Sequence, residues 1–440
     1  MSVFFAHTVS KYILCIALIV LGAPGSPFAM GLDEAVSMAL RQSPLLGEKA
    51  HERKEAEEAA RAAQGELLPR LDAEVSAQRL SDPSAVVPIK SFGGSPPFFS
   101  RDLYSATVDL TYPVFSGGRI QARVAAAGFE RSASLRRETL AAQALVADVK
   151  TAFYRILALK EQVRATRESR DAAARLRDDA KKRLEAGDLA PVDLLRIETR
   201  LEQEEQIHTQ ARAGLERARN AFRAILGADG PVDAEGDLAE PAPVDTAEGE
   251  EIEALVEGRE DVKAALAEVS REAENVRVER AGLLPSLDLV GEYGRKAGSG
   301  LDGDEEVWSA GLKIRQNIFD GGIVRHRARG AEARNEAARE RLRQTRLAAR
   351  REILDAFSLI GEARARLSAA HSAEKTASEA YRLERTRYLN GLSSTSDALL
   401  AQADLLRARS DVISTLADLN AAVISYEFAT GKTTVPGNGE

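Results

Sequence analysis

An internal duplication constrains this chain more than any other feature. Leu67-Leu68-Pro69-Arg70-Leu71-Asp72 returns as Leu283-Leu284-Pro285-Ser286-Leu287-Asp288. Val114-Phe115-Ser116-Gly117-Gly118 returns as Ile318-Phe319-Asp320-Gly321-Gly322, and Arg183-Leu184-Glu185-Ala186-Gly187 as Arg387-Tyr388-Leu389-Asn390-Gly391. The last two landmarks are each displaced by 204 residues, so the 69 residues from Gly118 to Gly187 have a counterpart of equal length. As α-helix at 1.5 Å per residue that stretch spans roughly 100 Å. The Leu-Leu-Pro landmark is displaced by 216 residues, so the first copy carries 12 extra residues before its Gly-Gly. They fall in Asp82 to Ser100, whose Pro, Gly and Ser content predicts an enlarged loop.

The equal stretches read as helix throughout. Leu145, Val149, Ala152, Ile156, Leu159 and Val163 alternate steps of four and three, the spacing of a coiled-coil seam. After the glycine turns, Leu194, Leu201, His208, Leu215 and Phe222 step by sevens, as do Leu392, Leu399, Leu406 and Ile413. Each long helix is therefore expected to have a return helix packed antiparallel along it. Aromatics are 5% and charged residues 29% of the chain, a composition suited to long helices with narrow apolar seams. Heptads alone would also suit a soluble scaffold, so the segments before the Gly-Gly pairs decide.

There the helical period stops and alternation begins. Tyr104, Ala106, Val108, Leu110 and Tyr112 alternate with Ser105, Thr107, Asp109 and Thr111, and Leu71, Val75 and Ala77 with Asp72, Glu74, Ser76 and Gln78. The second copy repeats the pattern with Leu287, Leu289 and Tyr293, then Trp308, Ala310, Leu312 and Ile314. Segments of about ten residues with one apolar face fit tilted strands crossing a bilayer, and Tyr and Trp fit its interfaces. A soluble sheet with one wet face gives the same alternation. In lipid, four strands leave unpaired edges, so closure requires other copies, and three would supply twelve strands. Pro69 and Pro285 lack the N–H that would continue a helix, and Gly117-Gly118 and Gly321-Gly322 suit the strand-to-helix corner.

At the N-terminus, Lys11, an apolar run from Tyr12 to Leu21 and small residues up to Ala29 read as an export signal over residues 1–29. The run is short for a membrane span, and no later segment approaches 18 consecutive apolar residues. Cys15 is the only cysteine and lies inside the run, so the exported chain has no thiol chemistry. The net charge of -8 has no basic stripe, which argues against a nucleic-acid partner. His51, His208, His326 and His371 are widely separated, with no zinc-like spacing or catalytic motif, so no metal, cofactor or enzyme activity is expected.

In this order the elements resemble the TolC-like outer-membrane efflux family. Leu32-Asp33-Glu34-Ala35-Val36-Ser37-Met38-Ala39-Leu40 with Ser43-Pro44 is also similar to that family's first helix. The resemblance implies a mainly α fold with a transmembrane β-barrel contribution. It has two tandem repeats of long antiparallel coiled-coil helices, and four β-strands per protomer forming a 12-stranded trimeric barrel. It implies a passive exit duct across the outer membrane and periplasm for efflux or type I secretion. The implied partners are outer-membrane lipid, a periplasmic adaptor and an inner-membrane pump of RND or ABC type. A periplasmic gate is implied at Asp193, Tyr388 and Asp397, with Tyr388 bonding to Asp193 as a latch and Asp397 in an acidic ring. Ser393 and Leu400 stand where family members can carry a gating arginine and a second acidic residue. An adaptor-docking tip is implied at Gly187, Leu189, Gly391, Leu392 and Ser393.

The expected layout is a first repeat over 30–226, with strand pair 70–116, long helix 119–186 and return helix 191–226. An acidic linker follows over 227–251, ordered or not. The second repeat covers 252–430, with strand pair 286–320, long helix 323–390 and return helix 394–430, before a flexible tail over 431–440. The competing reading is a soluble periplasmic coiled-coil scaffold or adaptor.

Overall fold

The computed structural model describes residues 28–87, 98–244 and 249–436. A short strand β1 (Phe28–Met30) precedes α1 (Leu32–Gln42) and α2 (Pro44–Gly65), the strands β2 (Arg70–Ala85) and β3 (Phe99–Phe115), the long helix α3 (Arg119–Glu185) and the return helix α4 (Pro191–Leu226). After β4 (Val232–Ala234) the order repeats. α5 (Glu250–Gly258) and α6 (Glu260–Arg280) lead to β5 (Ser286–Ala297), β6 (Glu305–Arg315), α7 (Ile323–Leu389) and α8 (Thr395–Ala429). Both long helices contain 67 residues, about 100 Å each.

Each long helix starts from a glycine with left-handed backbone, Gly118 at φ 83° and Gly322 at φ 87°, where side-chain-bearing residues are strained. The residue two before that glycine caps the helix. The Ile120 amide donates to Ser116 Oγ at 3.3 Å, and the Gly322 and Val324 amides donate to the Asp320 carboxylate at 2.8 and 2.9 Å. The bond from Val324 does most to hold the Asp320 carboxyl below its usual range.

Two apolar cores follow from the duplication. The first gathers Val149, Phe153 and Ile156 of α3, Leu215, Phe222 and Leu226 of α4, Ala35 and Val36 of α1, and β1 with β4. The second gathers Ile353 and Ile360 of α7, Leu419 and Tyr426 of α8, Val256 of α5 and Val262 of α6. Beside the first core, Asp233 is buried. Burial alone would raise its carboxyl pKa, but hydrogen bonds from Arg219 and Lys160 carry it below the usual range. The acidic segment packs on both cores, with Asp233 beside the first and Val244 on the second.

Several expectations need correction. β2 and β3 have 16 and 17 residues, longer than the ten expected, against 12 and 11 for β5 and β6. Pairing resumes at Ser84 opposite Ser100 beyond a register shift, so Pro83, which has no N–H to donate, falls in the unpaired interval. Residues 88–97 of the enlarged loop lie outside the described residues. The heptad stripes of the return helices hold only in part: His208, Leu215, Phe222 and Leu406 are buried as expected, but the positions nearer the turns are not. Ile197 and Glu204 are buried low on α4 where Leu194 and Leu201 are only half-buried, and Leu392 precedes α8 and is exposed. The cause is that α8 packs on both α7 and α3, so two faces are covered rather than one. The tail is not free over its first residues, since Thr433 is buried and Val435 packs on the first core. The export segment lies outside the described residues up to 27. Phe28 and Ala29, placed at its end, instead pair with Val232 and Asp233.

Candidate functional site

The sheet comes first, because it decides the environment of the whole chain. Its order is β2-β3-β5-β6, antiparallel throughout, so the two repeats meet at β3 and β5 while β2 and β6 are open edges. The registers collect residues by face. Ala73, Val108, Tyr293 and Trp308 align in one row, and Tyr112, Leu289 and Leu312 in another on the same face. The opposite face carries Asp72, Asp109, Glu292 and Ser309 in one row and Ser76, Ser105, Lys296 and Glu305 in another. Val75 at 84%, Trp308 at 74% and Ile314 at 73% exposure cannot be left in water without cost, which fits an outward face solvated by lipid. Gly294 is required within this sheet, because a Cβ there would lie 2.2 Å from the Ala106 carbonyl oxygen.

No helix among the described residues is long and apolar enough to cross a membrane. Strands can still cross a membrane, provided every edge is paired.

At the other end of the helices lie the two turns. Gly187 and Gly391, with φ 83° and 73°, end α3 and α7. The Asp188 and Leu392 amides reach back to the Arg183 and Arg387 carbonyls, each at 2.8 Å, which satisfies the orphan acceptors of the last helical turn. Pro191 opens α4, and Ser394 caps α8 by accepting from the Asp397 amide at 3.1 Å. Asp397 is thereby committed to the start of its helix, its carboxylate accepting from Ser394 Oγ at 2.7 Å. Gly187, Gly391 and Leu392 are exposed, Leu189 and Ser393 half-buried, and Ser393 donates to Glu384 at 2.5 Å.

Tyr388 departs from its expected role. Its side chain is only 2% exposed, and its hydroxyl has no hydrogen-bond partner. The bond to Asp193 is therefore not made, and Asp193 pairs instead with Arg196, one helical turn on, at 3.5 Å. What holds Tyr388 is Arg183, whose guanidinium lies over the ring at 5.1 Å and donates to the Tyr388 carbonyl at 3.3 Å. Arg183 belongs to the first-repeat landmark, but a cation over an aromatic ring leaves no spacing signal in the sequence. Arg196 adds a second link between repeats, donating to Ser396 at 3.4 Å. Midway along the tube, His208 Nδ1 lies 3.2 Å from Thr166 Oγ1 between α4 and α3. Burial, then the nearby Arg170 and Arg212, lower its pKa.

Against this geometry, the profile of the family described as outer membrane efflux protein matches residues 35–228 and 252–432. The chain belongs to that family. Among curated relatives it is 27% identical to Protein CyaE of Bordetella pertussis over 74% of this chain and 70% of that one. It is 31% identical to the cobalt-zinc-cadmium resistance protein CzcC of Cupriavidus metallidurans over 49% of this chain, which spans only about half of that relative (51%). Among solved structures, the Campylobacter jejuni CmeC outer membrane channel aligns at a TM-score of 0.82 over 100% of this chain and 95% of that one, with 18% identity. A membrane protein from Pseudomonas aeruginosa aligns at 0.80 over 92% and 91%, with 24% identity.

The chain is therefore a channel of the outer membrane extending into the periplasm, and not an enzyme. Its sheet is the membrane-crossing element and its helices the periplasmic one. The soluble-scaffold reading is set aside.

Proposed function

We propose that three copies of this chain close a twelve-stranded barrel in the outer membrane, continued by a tube of their long helices. Substrates delivered from the inner membrane then leave the cell through it without further energy input. The observation that carries this reading is the pair of open edges, β2 and β6, on a sheet with one face of exposed apolar side chains. In lipid each unpaired backbone group costs several kcal/mol, so a lone protomer is not a stable membrane species.

In this reading the tip formed by Gly187, Leu189, Gly391, Leu392 and Ser393 docks a periplasmic adaptor. The pump behind it is of the RND or ABC type. The curated relatives do not fix the cargo, since CzcC is named for cobalt, zinc and cadmium resistance and the other names specify none. A duct that does not choose its cargo is consistent with that spread. The gate is set at the tip by Arg183 on Tyr388, with Asp193 and Asp397 lining the turns that must part.

The test is to export the chain and fractionate the cells. Outer-membrane protein that needs detergent for extraction and conducts ions in planar bilayers supports the proposal. Salt-extractable protein that forms no conductance refutes it.

A further inference from the structure

The chain's internal interface is a template for the surface it leaves open. Residues up to and including β2 and β5 correspond between repeats at an offset of 216, and residues from β3 and β6 onward at 204. These offsets carry one hairpin onto the other: Ser286 opposite Arg315 maps onto Arg70 opposite Thr111, and both pairs are observed. The helices obey the same rule, since α2 packs on α3 as α6 packs on α7. One contact has no counterpart within the chain. β3 and α3 of the first repeat pack against β5 and α6 of the second, while among the described residues no strand or helix makes the equivalent contact of β6 with β2 or of α7 with α2.

We infer that the second repeat receives the first repeat of a neighbouring copy in the register of the internal contact, with Ile314 opposite Val75 in the sheet and Arg334 against Glu55 between the helices. This rests on the reading that copies close the barrel, and adds the residues that meet. The sheet register follows from Leu110 opposite Gly291, whose images are Ile314 and Val75, among the most exposed side chains of the two edges.

The helix pairing has a check that sequence similarity could not supply. Inside the chain, Glu130 of α3 pairs with Arg271 of α6, and Arg137 of α3 with Glu268 of α6. The image of the second pair is Arg341 with Glu52, the same charges in the same places. The image of the first is Arg334 with Glu55, where both charges are reversed and attraction is preserved. Among the described residues Glu55 and Arg341 have no ion-pair partner, Glu52 meets Lys49, and Arg334 has only a 3.9 Å contact with Glu272. The corner residues agree. A Cβ on Gly117 would meet Leu284 at 2.9 Å, whereas Gly321 has nothing within 4 Å, and the image of Leu284 is the exposed Leu68.

The experiment uses the full exported chain in membranes, with Val75→Cys and Ile314→Cys introduced together. Oxidation is expected to give covalent dimers and trimers on denaturing gels. Val75→Cys with Leu312→Cys, two residues out of register, is expected to remain monomeric on the same gels. In parallel, Arg334→Glu and Glu55→Arg singly should each lower the temperature at which the detergent-solubilised assembly dissociates, and the double reversal should restore it. A trimer that forms but cross-links at 312 rather than 314, or shows no rescue, overturns the register while leaving the channel reading intact. A chain that forms no trimer in any variant, wild type included, overturns both.

Discussion

The helices α2 and α6 occupy the same place in the two repeats but are buried to different degrees. α6 buries Val262, Ala264, Ala267 and Val276 between α3 and α7, whereas α2 rests on α3 alone and buries only Ala60. The corners differ likewise, Gly117 lying under Leu284 while Ile318 and Phe319 stand 94% and 88% exposed. Equivalent positions with unequal burial mean that one of the two contacts between repeats is made inside the chain and the other elsewhere. The molecule reads as two of six units rather than as a finished fold.

That contrast can be tested position by position. Phe222 and Tyr426 are images of each other, at the centres of the first and second cores. Phe222→Ala is expected to cost about 3–5 kcal/mol by opening a cavity. It should loosen the first core preferentially, read as hydrogen exchange speeding in α1 and α4 before α5 and α8. Simultaneous loosening of both cores would show that the repeats are not separate packing units. The next effect concerns Val108 and Leu312, images on the outward face of an inner and an edge strand. Arginine at either position is expected to cost about 2–4 kcal/mol in a closed barrel, measured by refolding into lipid. If only Val108→Arg is costly, β6 is a wet edge and the sheet is not closed.

At the tip the images are Arg183 and Arg387. Arg183 covers Tyr388, while Arg387 pairs with Glu384, three residues away in the same helix. Arg183→Ala, which removes an interaction worth about 0.5–2 kcal/mol, is expected to raise closed-state conductance, and Arg387→Ala to leave it unchanged. Tyr388→Phe should be silent, since its hydroxyl bonds to nothing; a rise in conductance would return the latch to Asp193. The smallest effect is at His208, whose image is Val412. The folded state disfavours its protonation, so stability is full above the ordinary pKa near 6.5 and falls as pH drops below it. His208→Val should flatten that slope in thermal unfolding between about pH 5 and 7.

The same comparison explains what was legible in the sequence. Repeat order, helix lengths and strand positions could be read because glycine, proline and two-residue alternation act locally, as at Gly118, Gly187 and Pro69. The pairing across β3 and β5 was not readable, because register is set by cross-strand partners far apart in the chain. The return-helix seams shift near the turns for a similar reason, while His208, Leu215 and Phe222 lie buried on the expected stripe. A heptad stripe assumes one neighbour, and Gln402 of α8, buried against Ser169 of α3, belongs to a second contact. At the candidate site, the turn glycines Gly187 and Gly391 were visible. Arg183 was not, since its partner lies 205 positions away.

The central claim is that the chain is completed only by copies of itself in a membrane. Native mass spectrometry of the protein extracted from outer membranes tests it most directly. Three chains per particle, lost when the β2 and β6 edges are disrupted, is the predicted result. A single chain that stays folded and monodisperse without detergent would contradict it.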